Sequence, residues 1–339
     1  MSHGRLIHHD LSSTTDLAQV ALADLGAELL RRLEAGADHE SRQSLERNLH
    51  LLSRLHDLTE ALLDVQENRA SVANFAAQFE FVRRCWRKHG VPMAGATHVD
   101  VGCGALQPLA RLFTHAMLGV ERAIGIDLDR PTEPAVAARH LARLAAAAIL
   151  DPASLFGDFP ITGRDVLANL HGFDLAKLRR GDPAGVDATR ATLLHRPIEA
   201  TGLATASVDV VISNSVLEHL SDVDAALREL ARITRPGGYG IHGIDTIDHR
   251  WYGEPTIHPL DFLTIDTRDP IVFECNRIRL VEFPALFRRH GFEVVDYAAH
   301  RTFTMTPDFR ARLLAPWQGL DDAVLETTWA NVLVRRLPG

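Results

Sequence analysis

Over the first ninety residues the apolar positions recur every three or four places. Residues 11–35 carry DLAQVALADLGAELLRRLEAG and predict a helix. Leu45, Leu49, Leu52, Leu55, Leu58, Leu62 and Val65 then line up as one apolar stripe of a long helix. A third helix is expected from about Val72 to His89. Residues 1–90 therefore read as an all-helical N-terminal extension or lid. The leucine stripe serves to pack on the rest of the chain or to pair with a second copy. Packing is the simpler reading; a strict heptad fails at His56, so the alternative, a homodimer through these helices, would not be a coiled coil.

The pattern changes at Thr97. Short apolar runs, THVDV, RAIGIDL, SVDVVISNS and YGIHGID, alternate with helical stretches such as ALQPLARLFTHAML and SDVDAALRELARIT. That order predicts an α/β domain over 91–339, a mostly parallel sheet with helices on both faces. Ser221 and Asp224 are placed to form a capping box for the second of these helices. VEFPALFRRHGF predicts a helix closed by Gly291, and FEVVDYAAHR and TWANVLVRRL predict two late strands. The connection 131–195 is far longer than a plain crossover and holds the Ala-rich run AVAARHLARLAAAAIL. It reads as a helical insertion, either a wall over a ligand or an extra surface layer.

Composition narrows the partners. With 46% hydrophobic residues the chain can bury a core, and a net charge of -8 without a Lys/Arg-rich run argues against nucleic acid. Cys85, Cys103 and Cys275 are widely spaced, with no C-x-x-C pair, which fits free thiols in a reducing compartment. The start, MSHGRLIHHDLSS, has no apolar signal core, and no window is apolar enough to span a bilayer. A cytoplasmic chain with no membrane partner is expected.

The stretch HVDVGCGALQPLA, His98 to Ala110, holds the chemistry. A strand delivers the chain to Gly102 and Gly104, which accept backbone angles closed to other residues and let a ligand approach the main chain. A helix starts just beyond, at the edge where open α/β sheets bind ligands. The next strand ends in Asp127, where a carboxylate can accept both hydroxyls of an adenosine ribose. The dinucleotide pattern G-x-G-x-x-G fails, because Gln107 stands at its third glycine. Asp100, two residues before the turn, suits a cofactor ammonium instead.

D-V-G-C-G with Asp100, Gly102, Cys103 and Gly104, then GIDL with Asp127 and Leu128, then SVDVVISNSVLEHL, then RPGG, together resemble the class I S-adenosylmethionine-dependent methyltransferases. Leu106 replaces the third glycine common in that family. The resemblance covers roughly residues 95–300 and the last strand. It implies a Rossmann-like seven-stranded sheet whose final two strands form a hairpin, with S-adenosyl-L-methionine as cofactor. It places the adenine by Pro197 and Ile198, and the methionine end by Asn214, Ser215 and His219.

The segment IHGIDTIDHRWYGEPTIHPLDF leaves the fifth strand on the crevice side. Its H-x-I-D-x-x-D-H pattern and the later Asn276-Arg277 pair resemble, more loosely, bacterial enzymes that modify sugars or small metabolites. A histidine, ordinarily titrating near neutrality, suits removal of a hydroxyl proton as a methyl arrives. His249 and His242 are the candidate bases, with Asp248 or Asp245 as orienting partner. Trp251, Tyr252, His258, Asn276 and Arg277 are candidate substrate contacts. No spacing sets these histidines and acids on one helical face, so no metal is expected. The expected activity is O-methylation of a small molecule, a sugar or secondary metabolite. The rivals are a catalytically silent cofactor-binding scaffold, an NAD-dependent oxidoreductase and a metal-dependent methyltransferase.

Overall fold

The computed structural model describes residues 79–104, 108–131, 134–266 and 275–338, together with Ser44 and Asn48. The chain divides into two compact units, Met1–Asn74 and Phe75–Gly339. The helices expected before residue 79, the leucine stripe and the alternative dimer through it lie outside the described residues. The second unit opens with helix α1 over residues 79–89. Its buried face packs on the insertion, with the Phe79 ring 5.3 Å from Phe156 and the Trp86 ring 4.4 Å from Phe159.

Seven strands form one sheet: β1 Thr97–Val101, β2 Arg122–Asp127, β3 Ala191–His195, β4 Val208–Asn214, β5 Thr234–Asp245, β6 Phe292–Arg301 and β7 Thr327–Arg336. Their order across the sheet is β3-β2-β1-β4-β5-β7-β6. The first five run parallel, and β7 is antiparallel to both β5 and β6. This is the seven-stranded Rossmann-like sheet expected. The inner strands are apolar runs because helices cover both of their faces. Val99, Val101, Ile124, Ile126, Val211 and Val332 join one buried cluster with Leu227, Leu230 and Phe287 from the covering helices.

The chain builds outward from β1 to β3, then returns to lay β4 on the other side of β1. The order therefore reverses between β1 and β4, and the crevice beyond their C-terminal ends is the natural ligand site of such a sheet.

Two local expectations are corrected. RPGG is not a turn before β5 but a bulge within it, for Thr234 pairs with Val208 while Tyr239 already pairs with Val210. Gly237, at φ +79, supplies the left-handed residue the bulge needs. The capping box at Ser221 and Asp224 does not form. Asp222 caps the helix Val223–Ile233 instead, accepting the Ala225 N–H at 2.8 Å. Asp224 faces outward to Arg289 at 3.0 Å and His290 at 2.6 Å.

Between β2 and β3 the chain forms α2's neighbour, a long helix Pro134–Leu150, and three short helices, Pro152–Phe156, Gly163–Asn169 and Leu175–Arg179, where α2 is Ala110–Met117. An apolar cavity lies between this layer and the sheet, lined by Leu109, Pro134, Ala138, Leu141, Val186 and Leu193. Among the described residues no helix is long and apolar enough to cross a membrane.

Candidate active site

The cofactor side is built from backbone. Gly102 at φ +67 and Gly104 at φ +79 both occupy the left-handed region. A Cβ on Gly102 would stand 2.3 Å from Val216 Cγ2, so only glycine lets the β1 turn close on the β4 turn. Gly125 does the same one strand over, where a Cβ would meet Leu193 Cδ2 at 2.7 Å and Cys103 Sγ at 3.0 Å. Cys103 thus points under β2, and burial pushes its thiol well up. It is a packing residue of the turn.

Asp127 ends β2 half-buried. Its Oδ2 accepts the Gly104 N–H at 2.7 Å and its Oδ1 accepts the Asp129 N–H at 2.9 Å. Each oxygen keeps a lone pair for a ribose hydroxyl. Leu128 beside it is 73% exposed, an apolar side chain with open space in front of it. Among the described residues nothing lies within 4 Å of where a Cβ of Gly104 would sit. An open cradle, a carboxylate and an apolar flank fit the adenosine of S-adenosylmethionine. Pro197 is exposed at the same edge, whereas Ile198 turns into the core.

Asp100 is corrected. It is 2% exposed and its Oδ1 accepts from Arg111 Nη1 at 2.5 Å, so its charge is met inside the fold rather than offered to an ammonium. Burial still raises its carboxyl above the ordinary range, with Arg111 opposing. Ser215 is more telling. It holds φ +52, uncommon for a residue with a side chain, and its N–H donates to Gly243 O at 2.9 Å. Such strain, on the order of 1–3 kcal/mol, persists where surroundings enforce it. Here it turns the chain sharply at the end of β4, beside Asn214.

The acceptor side is built from side chains. The short turn Leu217–His219 after β4, the start of the helix Arg250–Gly253 after β5, and Cys275 converge. His219 and His249 rings lie 4.6 Å apart, edge to face, and Tyr252 stands 5.4 Å from His249 on its other side. Asp245, 3% exposed, has Oδ2 at 3.8 Å from His249 Nε2 and also accepts the Tyr252 hydroxyl. Tyr252 itself is 59% exposed, so the cluster opens to solvent. Glu218 is buried beneath it, its Oε1 accepting the Asp245 N–H at 3.1 Å and its Oε2 without a hydrogen-bond partner. Burial pushes the Glu218 carboxyl up to about 8.

Of the two candidate bases, His249 lies here and His242 does not. His242 is 1% exposed, shares its sheet face with Ile244, stacks on Phe287 at 5.1 Å, and bonds Ser213 Oγ through Nδ1 at 2.8 Å. Burial lowers it to about 3, which leaves it a neutral core residue and no base. Asp248 is also structural: fully buried, it holds Arg250 and accepts the Phe262 N–H at 3.0 Å. Of the two acids, Asp245 is the one beside His249.

Two substrate candidates, Asn276 and His258, are corrected as well. Asn276 spends both amide hydrogens on Leu217 O at 2.7 Å and Leu220 O at 3.0 Å, and its Oδ1 on the Ile278 N–H. It staples the turn that carries His219. His258 stacks on Phe309 at 3.4 Å and accepts the Leu260 N–H, an anchor for a separate apolar cluster around Phe262 and Leu313. Arg277, at φ +60, leans over the Trp317 ring at 5.6 Å. The Trp251 and Tyr252 rings lie 5.4 Å apart, with Tyr252 against His249.

Cys275 and Glu218 were not among the expected site residues. All three cysteines are free, as expected. Burial and the Glu218 carboxyl push the Cys275 thiol up to about 12, so alone it is no nucleophile. The one signal for it in the sequence is its position directly before Asn276-Arg277. A further residue passed over is Arg279, 2% exposed, whose Nη2 donates to Thr246 O at 2.7 Å and so fixes the segment after β5.

Residues 159–241 match the family described as "Methyltransferase domain". The match spans β3, β4 and most of β5 but begins after the glycine turn and Asp127, so that half of the site stands on its geometry. The chain matches no curated protein. Among solved structures it is similar to geranyl diphosphate methyltransferase in complex with SAM, at 16% identity and TM-score 0.43, over 77% of this chain and 85% of that one. The [4+2]-cyclase SpnF gives 16% identity and TM-score 0.43 over 77% and 81%. A SAM-dependent methyltransferase from Methanosarcina mazei gives 15% identity and TM-score 0.40 over 74% and 97%. At these scores the likenesses carry none of the argument.

Proposed function

We propose that the chain is an S-adenosylmethionine-dependent methyltransferase that methylates an oxygen of a small molecule, such as a sugar or a secondary metabolite. The observation that carries this reading is the cluster of His249, Asp245 and Tyr252 at the open end of β5, across the β1/β4 switch from Asp127.

S-adenosylmethionine supplies a methyl group on a sulfonium, which an attacking atom must approach in line. Asp127 and the glycine turn hold the adenosine end to one side of the crevice. Ser215 and Asn214 turn the β4 end between the two sides. The acceptor lies on the other side, where the exposed Tyr252 and Trp251 offer aromatic surface. Fixing the partners this way can contribute about 7 kcal/mol or more in favourable cases. The acceptor hydroxyl is activated by His249, and its proton leaves to the His249–Asp245 pair. General base help of this kind contributes about 100- to 10,000-fold. The acidic chain, with a net charge of -8, favours a small acceptor over nucleic acid.

The test is transfer of labelled methyl from the cofactor to panels of hydroxylated small molecules, with protein and RNA fractions alongside. Label in a small-molecule ether supports the reading. Label confined to a macromolecule overturns it.

A further inference from the structure

We propose that His219, His249 and Cys275 bind a zinc-class divalent cation at the acceptor end of the crevice. One ligand atom from each lies within 4.8 Å of the others. Zinc binds imidazole nitrogen at about 2.0–2.1 Å and thiolate at about 2.3 Å, so tetrahedral ligands stand roughly 3.3–3.7 Å apart.

The backbone is already fixed for it. Cys275 is followed by Asn276, whose N–H donates to Glu218 O at 2.7 Å and whose amide bonds the carbonyls of Leu217 and Leu220. The thiol and the His219 ring are thereby held against each other across more than fifty residues of sequence. Asp245 beside the His249 ring places a carboxylate where ligating imidazoles commonly have one, fixing tautomer and orientation. The buried Glu218 Oε2 has no side-chain or backbone hydrogen bond within range among the described residues, and a cation in the cluster would offset its carboxylate. Two imidazoles and one thiolate suit zinc better than magnesium or calcium, which prefer oxygen. His219 is exposed, so the cation has a way in, and three protein ligands leave a fourth position open, as at catalytic rather than structural zinc sites.

The site itself does not depend on the proposed function; only its consequence rests on that reading. Without metal, His249 is the base of the proposed function; with a cation bound it would be a ligand, and the cation would supply the activation of the acceptor hydroxyl in its place.

The experiment is reconstitution of the full chain with zinc, measured by elemental analysis, and with cobalt, measured by absorption. One metal per chain is expected, with a thiolate-to-cobalt charge-transfer band. Cys275→Ser should abolish the band and weaken metal binding by about 100-fold, while Cys85→Ala keeps both. Binding of S-adenosylhomocysteine by Cys275→Ser shows that the variant is folded. His249→Ala should weaken metal binding to a similar degree. No stoichiometric metal in the folded wild type, or a band that survives Cys275→Ser, overturns the inference. Methyl transfer that persists in metal-free protein overturns the metal's role and leaves the acceptor reading standing. Bound metal without any methylated small molecule does the reverse.

Discussion

The two halves of the crevice are built by different means. The cofactor half uses main chain: Gly102, Gly104 and one carboxylate, Asp127, all within a single strand-turn-helix-strand unit. The acceptor half uses side chains brought from after β4, after β5 and from Cys275. A backbone cradle needs few residues and tolerates little change at each. A side-chain cluster can be altered one member at a time, and each change should leave the cofactor half intact. The difference explains how such a sheet can hold one cofactor while its acceptor varies.

The sharpest way to break that comparison is His249→Ala. It should lower kcat by about 100- to 10,000-fold while the dissociation constant for S-adenosylhomocysteine, read by calorimetric titration, stays within about twofold. A parallel loss of cofactor affinity would mean that the halves are not separate. Asp127→Ala is the mirror experiment. Charged hydrogen bonds contribute about 1.5–3 kcal/mol each, so affinity for S-adenosylhomocysteine should fall on the order of 100-fold or more. NADH binding by the wild-type protein should be undetectable in the same titration.

His242 sharpens the comparison from inside the core. Burial lowers it to about 3 from an ordinary 6.5, and His98, bonded to Pro92 O and His115, to about 4. Both rings stay neutral when folded, while the unfolded chain takes up protons near 6.5. Their contribution is therefore present above that pH and is lost as pH falls toward the folded values. Between pH 7 and 5 the loss is about 2 kcal/mol for each such ring. His242→Asn, which keeps a partner for Ser213, should flatten the fall in urea stability by about that amount without the kcat loss of His249→Ala. An unchanged pH profile, or a kcat loss like that of His249→Ala, would return His242 to the site. The smallest effect is expected from Leu128→Ser. Removing part of an exposed apolar flank should weaken S-adenosylhomocysteine binding by about 1 kcal/mol, and acceptor KM should not move.

What was readable beforehand follows the same division. FEVVDYAAHR coincides with β6, SVDVVISNS contains β4, and Gly102, Gly104 and Asp127 sit where their motifs placed them. The Asp222 cap and the RPGG bulge were misplaced, because neighbouring residues compete for such roles and strand pairing decides between them. His242 and His249 looked equivalent in HGIDTIDH, yet one lies under Phe287 and the other at the rim.

The sequence alone determined the alternation of strands and helices, the glycine turn and the acid at the end of the second strand, because each depends on angles and contacts among near neighbours. Tertiary structure decided which histidine reaches the crevice, that Asp100 is spent on Arg111, and that Cys275 joins His219 and His249. Those outcomes depend on strand register and on which face of the sheet a helix covers, and no spacing along one chain encodes where three distant segments meet.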